Sequence, residues 1–228
     1  MQLIGMLDSP YVRRVAVSLQ HLGVPFEHRS ISVFRTFEQF QRINPVVKAP
    51  TLVCDDGTVL MDSTLIIDYA EAIAAPGSSL MPAAAPARLR ALHRIGLALA
   101  ACEKGVQIVY ERNVRPPEKQ HEPWIERVRG QLGAALAALE VEQQRDPLRA
   151  EADTIDQAGI TVAVVWHFLH AVLPDVVSAA PYPALVAFSA AAERLPTFRA
   201  APHSDLTVDP AASGTGSRPH VAAADTTS

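Results

Sequence analysis

Apolar positions in the first third of the chain come in short runs between turn residues. In the remainder they recur at helical spacing. Around Leu3-Ile4-Gly5 the pattern predicts a strand over 2–6. Pro10 opens a helix that runs to Leu22, and Gly23 closes it: proline at the first helical position forfeits no N–H that the helix would use, and glycine suits the residue after a helix end. Phe26–Ser30 predicts a second strand, Phe37–Ile43 a short helix and Thr51–Cys54 a third strand. Asp55-Asp56-Gly57-Thr58 carries hairpin chemistry, so Val59–Met61 follows as a fourth strand antiparallel to the third, and Asp62–Ala74 as a further helix. The order βαβαββα predicts a thioredoxin-like domain over residues 1–78.

Breakers then cluster in Pro76-Gly77-Ser78-Ser79 and from Pro82 to Pro86, which predicts a linker over 79–86. Beyond it the strand signals fade. Ala87–Ile108 predicts a long helix with Leu89, Leu92, Ile95, Leu99 and Cys102 on its inner face, ending before Arg115-Pro116-Pro117. Trp124–Gln143 carries Ile125, Val128, Leu132, Leu136 and Leu139 on one face. Asp156–Val172 is nearly apolar all round, the mark of a central buried helix, and Tyr182–Arg194 makes a fourth. The fold class is therefore α/β plus all-α, with a helical bundle over 87–208 and a tail over 209–228 whose Ala/Ser/Gly/Thr/Pro composition reads as disordered.

Composition narrows the function classes. In 228 residues, 49% are hydrophobic and 19% charged, enough apolar matter for a sizeable core. The net charge of −4 offers no basic footprint for nucleic acid, and the arginines within 88–94 and 127–129 are spaced as solvated helix faces. Cys54 and Cys102 lack Cys-x-x-Cys spacing and read as free buried thiols of a reducing compartment. The N-terminus lacks a signal-peptide pattern, and no uncharged apolar run reaches the ~18 residues of a membrane span. A cytoplasmic protein with no membrane partner is the expectation.

The chemistry concentrates in Asn44-Pro45-Val46-Val47-Lys48-Ala49-Pro50 and in Asp62-Ser63. Proline at a strand entrance suits a cis peptide, which costs about 0.5–1 kcal/mol at an X-Pro bond. A cis Ala49–Pro50 bond would turn the Ala49 backbone outward, where an extended peptide pairs as an added strand. Asp62-Ser63 opens a helix, and helix N-termini seat carboxylates as well as needing a plain cap. A backbone strand and an anion seat together suit a small anionic peptide. Ser9 caps the first helix; a hydroxyl there also stands where a helix end favours thiolate, and Tyr11 is the rival hydroxyl. Tyr110 and Trp166 are candidates for a hydrophobic pocket, and Trp124 reads as helix packing. His167 and His170, three apart, lack a third ligand, so no metal site is expected.

This ordered set resembles the glutathione transferase superfamily over essentially residues 1–208. The resemblance implies glutathione along the first domain, on Lys48, Ala49, Pro50, Asp62 and Ser63. Ser63 would take the γ-glutamyl carboxylate and Lys48 the glycine carboxylate, with Arg35 a weaker carboxylate partner. Ser9 would polarise the sulfur toward an electrophile held near Tyr11, Tyr110 and Trp166, in a homodimer. Ser9-Pro10-Tyr11-Val12 also resembles the Cys-Pro-Tyr-Cys of glutaredoxins with both cysteines replaced, which disfavours a thiol-disulfide enzyme. A non-catalytic partner-binding protein of the same fold is the other alternative. Family members carry a Ser/Thr-x-x-Asp capping box before the central helix; here Asp156 caps and Gly159 replaces the Asp, which implies a weakened helix start.

Overall fold

The computed structural model describes residues 1–208; the expected disordered tail lies outside the described residues. Four short strands, β1 (Gln2–Ile4), β2 (Glu27–Arg29), β3 (Thr51–Val53) and β4 (Val59–Met61), form one sheet in the order β2-β1-β3-β4. β1 pairs parallel with β2, through Leu3 and His28, and antiparallel with β3, through Leu3 and Leu52. β3 and β4 close the antiparallel hairpin. On one face lie α1 (Pro10–His21) and α3 (Ser63–Ile73), which bury Val12, Val15, Leu19 and Ile66 with Leu3 and Leu52. On the other, α2 (Phe37–Ile43) sets Phe40 against Ile4 and Ile31. This is a thioredoxin-like domain, and a helical domain follows it.

That second domain is built from α4 (Ala85–Asn113), α5 (Glu122–Arg145), α6 (Gln157–Val172), α7 (Pro183–Ala192) and α8 (Pro196–Ala200). The apolar α6 is the central helix, with Ile160, Ala163, Val164 and Leu169 fully enclosed. Its start is capped by Asp156 Oδ1, which accepts from the Gly159 N–H at 2.8 Å.

Two expectations for α4 need correction. Its inner face is Ala91, Ile95, Ala98, Cys102, Gly105 and Ile108, whereas Leu89 and Leu92 are 70% and 51% exposed. Small residues on that face let α4 approach α6 closely: a Cβ at Gly105 would lie 2.2 Å from Leu169 Cδ2. Arg94 is not on a solvated face but buried, donating to the Asp146 carbonyl at 2.6 Å and lying 3.2 Å from its carboxylate. Tyr182–Arg194 is also shorter than expected, and α8 is a separate element that begins at Pro196.

α1 is covered on every side. Most of its polar residues meet the helical domain: Arg13 and Glu193 form a bidentate pair at 2.6–2.7 Å, and the Arg13 Nε–H donates to the Ala201 carbonyl at 2.7 Å. Ser18 Oγ donates to Gln157 Oε1 at 3.0 Å. After α8 the chain returns to the sheet. The Val208 N–H donates to His28 Nδ1 at 3.0 Å, while His28 Nε2 lies 2.7 Å from the Gly5 carbonyl. Ser30 Oγ donates to the Asp205 carbonyl.

Burial lowers the pKa of four histidines in or near this seam, His21, His28, His167 and His203, below the ordinary 6.5. With folded values below unfolded ones, the unfolded chain takes up more protons once pH falls under about 6.5, so stability declines from there downward. Asp8 and Asp156, raised by burial, act with the opposite sign nearer the carboxylate range. Thermal melts should show a Tm at pH 5.5 lower than at pH 7 by roughly 2–4 °C, the shift that ~1 kcal/mol makes in a chain of this size. A flat profile would contradict the assignment.

Candidate active site

A cleft of about 500 Å³ lies between the domains. Ser9, Tyr11, Lys48, Ala49, Pro50, Asp62, Ser63 and Tyr110 all line it, so residues spread over a hundred positions meet in one place. Trp166 does not join them. It is 4% exposed, stacked on His170 and edge-on to Tyr182, inside the helical domain. Arg35 stays outside the lining, exposed, 3.6 Å from Asp205.

Part of the cleft has the make-up of an anion seat. The Ala49–Pro50 peptide is cis, and among the described residues the Ala49 N–H and carbonyl make no hydrogen bond. Val47 and Asp62 both have positive φ, 53° and 76°, conformations that non-glycine residues rarely hold and that cluster at ligand sites. Asp62 caps α3: its Oδ1 accepts from the Thr64 N–H at 2.9 Å, and its Oδ2 lies 3.5 Å from Lys48 Nζ. Ser63 is nearly enclosed, and its Oγ accepts from Arg14 Nη1 at 2.9 Å. Having accepted from Arg14, the Ser63 hydroxyl keeps its own proton to donate.

Arg14 stands behind Ser63, and the sequence reading missed it. It is 2% exposed, and also donates to Thr64 Oγ1 at 3.2 Å. Burial brings its pKa down to about 10, which leaves it cationic at neutral pH. Its charge therefore adds to the positive end of α3 directly behind the seat. In sequence it is one of two adjacent arginines on an amphipathic helix, and only the packing of α3 and α4 around α1 distinguishes it from a solvated residue.

Ser9 lines the same cleft. It caps α1, but the bond from the Val12 N–H to its Oγ is long, 3.5 Å. Its hydroxyl proton has no acceptor among the described residues and is free to point into the cleft. Tyr11 is placed differently: it is half-buried in the cleft wall, and burial raises the pKa of both Tyr11 and the enclosed Cys102, Cys102 to about 12. Cys54 and Cys102 are free and buried, and neither sits at the start of α1. Among the described residues no group of three metal-ligating side chains occurs, and no helix is long and apolar enough to cross a membrane.

Comparison with known proteins adds the family. Residues 3–78 match the glutathione S-transferase N-terminal domain family. The uncharacterised GST-like protein YibF of Escherichia coli is 29% identical over 171 residues, covering 75% of this chain and 82% of its own. Among solved structures, a glutathione transferase family member from Pseudomonas fluorescens with bound glutathione is 31% identical, with a TM-score of 0.76 over 88% of this chain and 97% of its own. A glutathione S-transferase from Methylobacterium radiotolerans, in complex with glutathione sulfonate, is 26% identical with a TM-score of 0.77, over 87% and 92% of the two chains. The chain belongs to the glutathione transferase superfamily.

Proposed function

We propose that this chain is a glutathione transferase that joins the glutathione thiolate to an electrophilic small molecule. The observation that carries the reading is a single cleft with a charge-backed anion seat at Ser63 and an unengaged hydroxyl at Ser9. The γ-glutamyl carboxylate takes the Ser63 hydroxyl and the N-terminus of α3, with Asp62 shaping the turn. The backbone of the tripeptide pairs with Ala49 beside Pro50, and Lys48 faces the glycine carboxylate. Ser9 donates to the sulfur and favours thiolate, the nucleophile. The sulfur's electron pair forms the new bond to carbon while the leaving group departs with its own pair; on an enone no group leaves, and a proton is taken up at the neighbouring carbon. Val106, Val109 and Phe168 give the electrophile an apolar wall.

Residues 1–78 are then the glutathione-binding unit, 79–86 the linker and 87–208 the helical unit. A cytoplasmic homodimer belongs to the same reading, and the exposed Leu89 and Leu92 of α4 give a second copy an apolar surface. The thiol-disulfide alternative is disfavoured by two enclosed thiols whose pKa values burial raises.

Calorimetry with glutathione, followed by turnover on a panel of halides, epoxides, enones and peroxides, tests the proposal. Ser63→Ala removes a hydrogen bond to a charged group, worth roughly 1.5–3 kcal/mol, so affinity should fall by about tenfold or more while a melt still shows a folded chain. Unchanged affinity would make Asp62-Ser63 a helix cap alone. Tight binding of glutathione with no turnover on any electrophile would instead favour the non-catalytic partner-binding form.

A further inference from the structure

Three charged side chains line the cleft: Asp8, Lys48 and Asp62. Lys48 and Asp62 face each other at 3.5 Å and offset one another. Asp8 is exposed and, among the described residues, forms no ion pair. The Arg35 guanidinium, whose charge Asp8 feels, is held instead by Asp205 at 3.6 Å and by Met6 Sδ at 3.4 Å. His203 also neighbours Asp8, but burial lowers its pKa below 6.5, so it is neutral at pH 7. Asp8 and Asp205 then outweigh Arg35 by one negative charge. Burial raises the Asp8 carboxyl above the ordinary 3.8, with His203 and Arg35 opposing the rise. A carboxylate partly set back from water and left without a counter-ion gains from one that arrives with a ligand.

Two aromatic rings stand on the same lining. Phe34 is 58% and Tyr110 47% exposed, and they meet edge-on at 5.6 Å. Burial, and after it the Asp8 charge, raise the Tyr110 hydroxyl, so carboxylate and ring lie within reach of one another. An aromatic face attracts a cation through its quadrupole, and substituted ammonium groups are the ligands that use this most. Carboxylate and rings in one concavity therefore favour the same guest.

We infer that Asp8 is a specificity-determining residue: it selects an electrophile that carries a substituted ammonium group and disfavours one that carries a carboxylate. The inference rests on the transferase reading for the presence of an electrophile, and narrows that electrophile by charge. Ser63, backed by Arg14, serves an anion in the same cleft, so the charges of the two substrates are sorted between the two places.

Calorimetry on the full chain tests it with two conjugates of similar length, S-[4-(trimethylammoniomethyl)benzyl]glutathione and S-[4-(carboxymethyl)benzyl]glutathione. At neutral pH the cationic conjugate should bind about tenfold more tightly, the order of one charge contact at a partly exposed site. Asp8→Asn should bring the two within about twofold, Asp8→Lys should reverse their order, and added salt should shrink the wild-type gap. Tyr110→Leu should reduce the gap about threefold, the worth of one exposed cation–π contact. Benzyltrimethylammonium alone, titrated by NMR, should bind the wild type and bind Asp8→Lys at least about tenfold more weakly. The inference is overturned if the carboxylate conjugate binds the wild type as tightly as the cationic one, or if the gap survives in Asp8→Asn. If benzyltrimethylammonium binds and Asp8→Lys removes it, while neither glutathione nor either conjugate binds, Asp8 stands as a cation site and the glutathione reading falls.

Discussion

Replacing Arg13 by alanine should cost about 3–5 kcal/mol, the penalty for breaking a buried ion pair by removing one partner. Arg13 is 1% exposed, grips both oxygens of Glu193 and the Ala201 carbonyl, and lies 5.7 Å from the centre of the Phe198 ring. Alanine leaves that carboxylate and that carbonyl without their donor at the seam between the domains. Glu193 is less enclosed, at 23% side-chain exposure, so Glu193→Gln should cost less than Arg13→Ala. Because the two residues act through one contact, the double substitution should cost clearly less than the sum. Denaturant melts of the four proteins give the comparison. A loss under about 1 kcal/mol for Arg13→Ala would mean that water replaces the ion pair at little cost, as at a surface pair.

How much of this was legible depends on how local each feature is. α2 lies where the pattern predicted it, and most other elements of the first domain differ by only one or two residues, because strands bounded by turns and helices bounded by Pro10 and Gly23 declare themselves locally. The inner face of α4 was misread because leucine outweighs alanine in any periodicity argument. Yet the helix buries Ala91, Ala98 and Gly105, whose small size admits α6, and turns Leu89 and Leu92 outward. Arg13, Arg14 and Arg94 were invisible for a related reason. A buried arginine looks like a solvated one until its partners, here just past α7, on α3 and at the end of α5, are brought to it by the tertiary fold.

In the site, the residues carried by a recognisable local pattern, Ser9, Lys48-Ala49-Pro50 and Asp62-Ser63, do line one cleft. Those that complete it come from segments with no pattern of their own. Trp124, expected to pack between helices, is 44% exposed in a groove with Tyr110 and Val114, while Trp166, expected in the pocket, belongs to the core of the central helix. Two tryptophans carry the same local signal, and only the orientation of their helices separates their roles.

On the proposed reaction, Ser9→Ala should reduce kcat by about a hundredfold while changing glutathione affinity by less than about threefold. Removing one preorganised donor to developing negative charge costs about 10²–10³ in kcat, and the half-exposed position of Ser9 places it at the lower end. The thiol pKa of bound glutathione, followed by thiolate absorbance, should rise in the variant, because the lost hydrogen bond favoured the charged form. The sign is the point of the test: a merely structural serine would lower the folded fraction without moving that titration. The structure lets the two effects be separated. The cap bond of Ser9 is long, 3.5 Å, so its removal should cost less than the ~1 kcal/mol of an ordinary N-cap, and the variant should remain folded for kinetics. Tyr11→Phe is the control. Ser9, not Tyr11, caps α1, so on this reading the loss of the Tyr11 hydroxyl should leave the thiol titration in place. If bound glutathione titrates identically in wild type and Ser9→Ala, and Tyr11→Phe shifts it instead, the thiol activator is Tyr11 and the Ser9 hydroxyl only begins the helix.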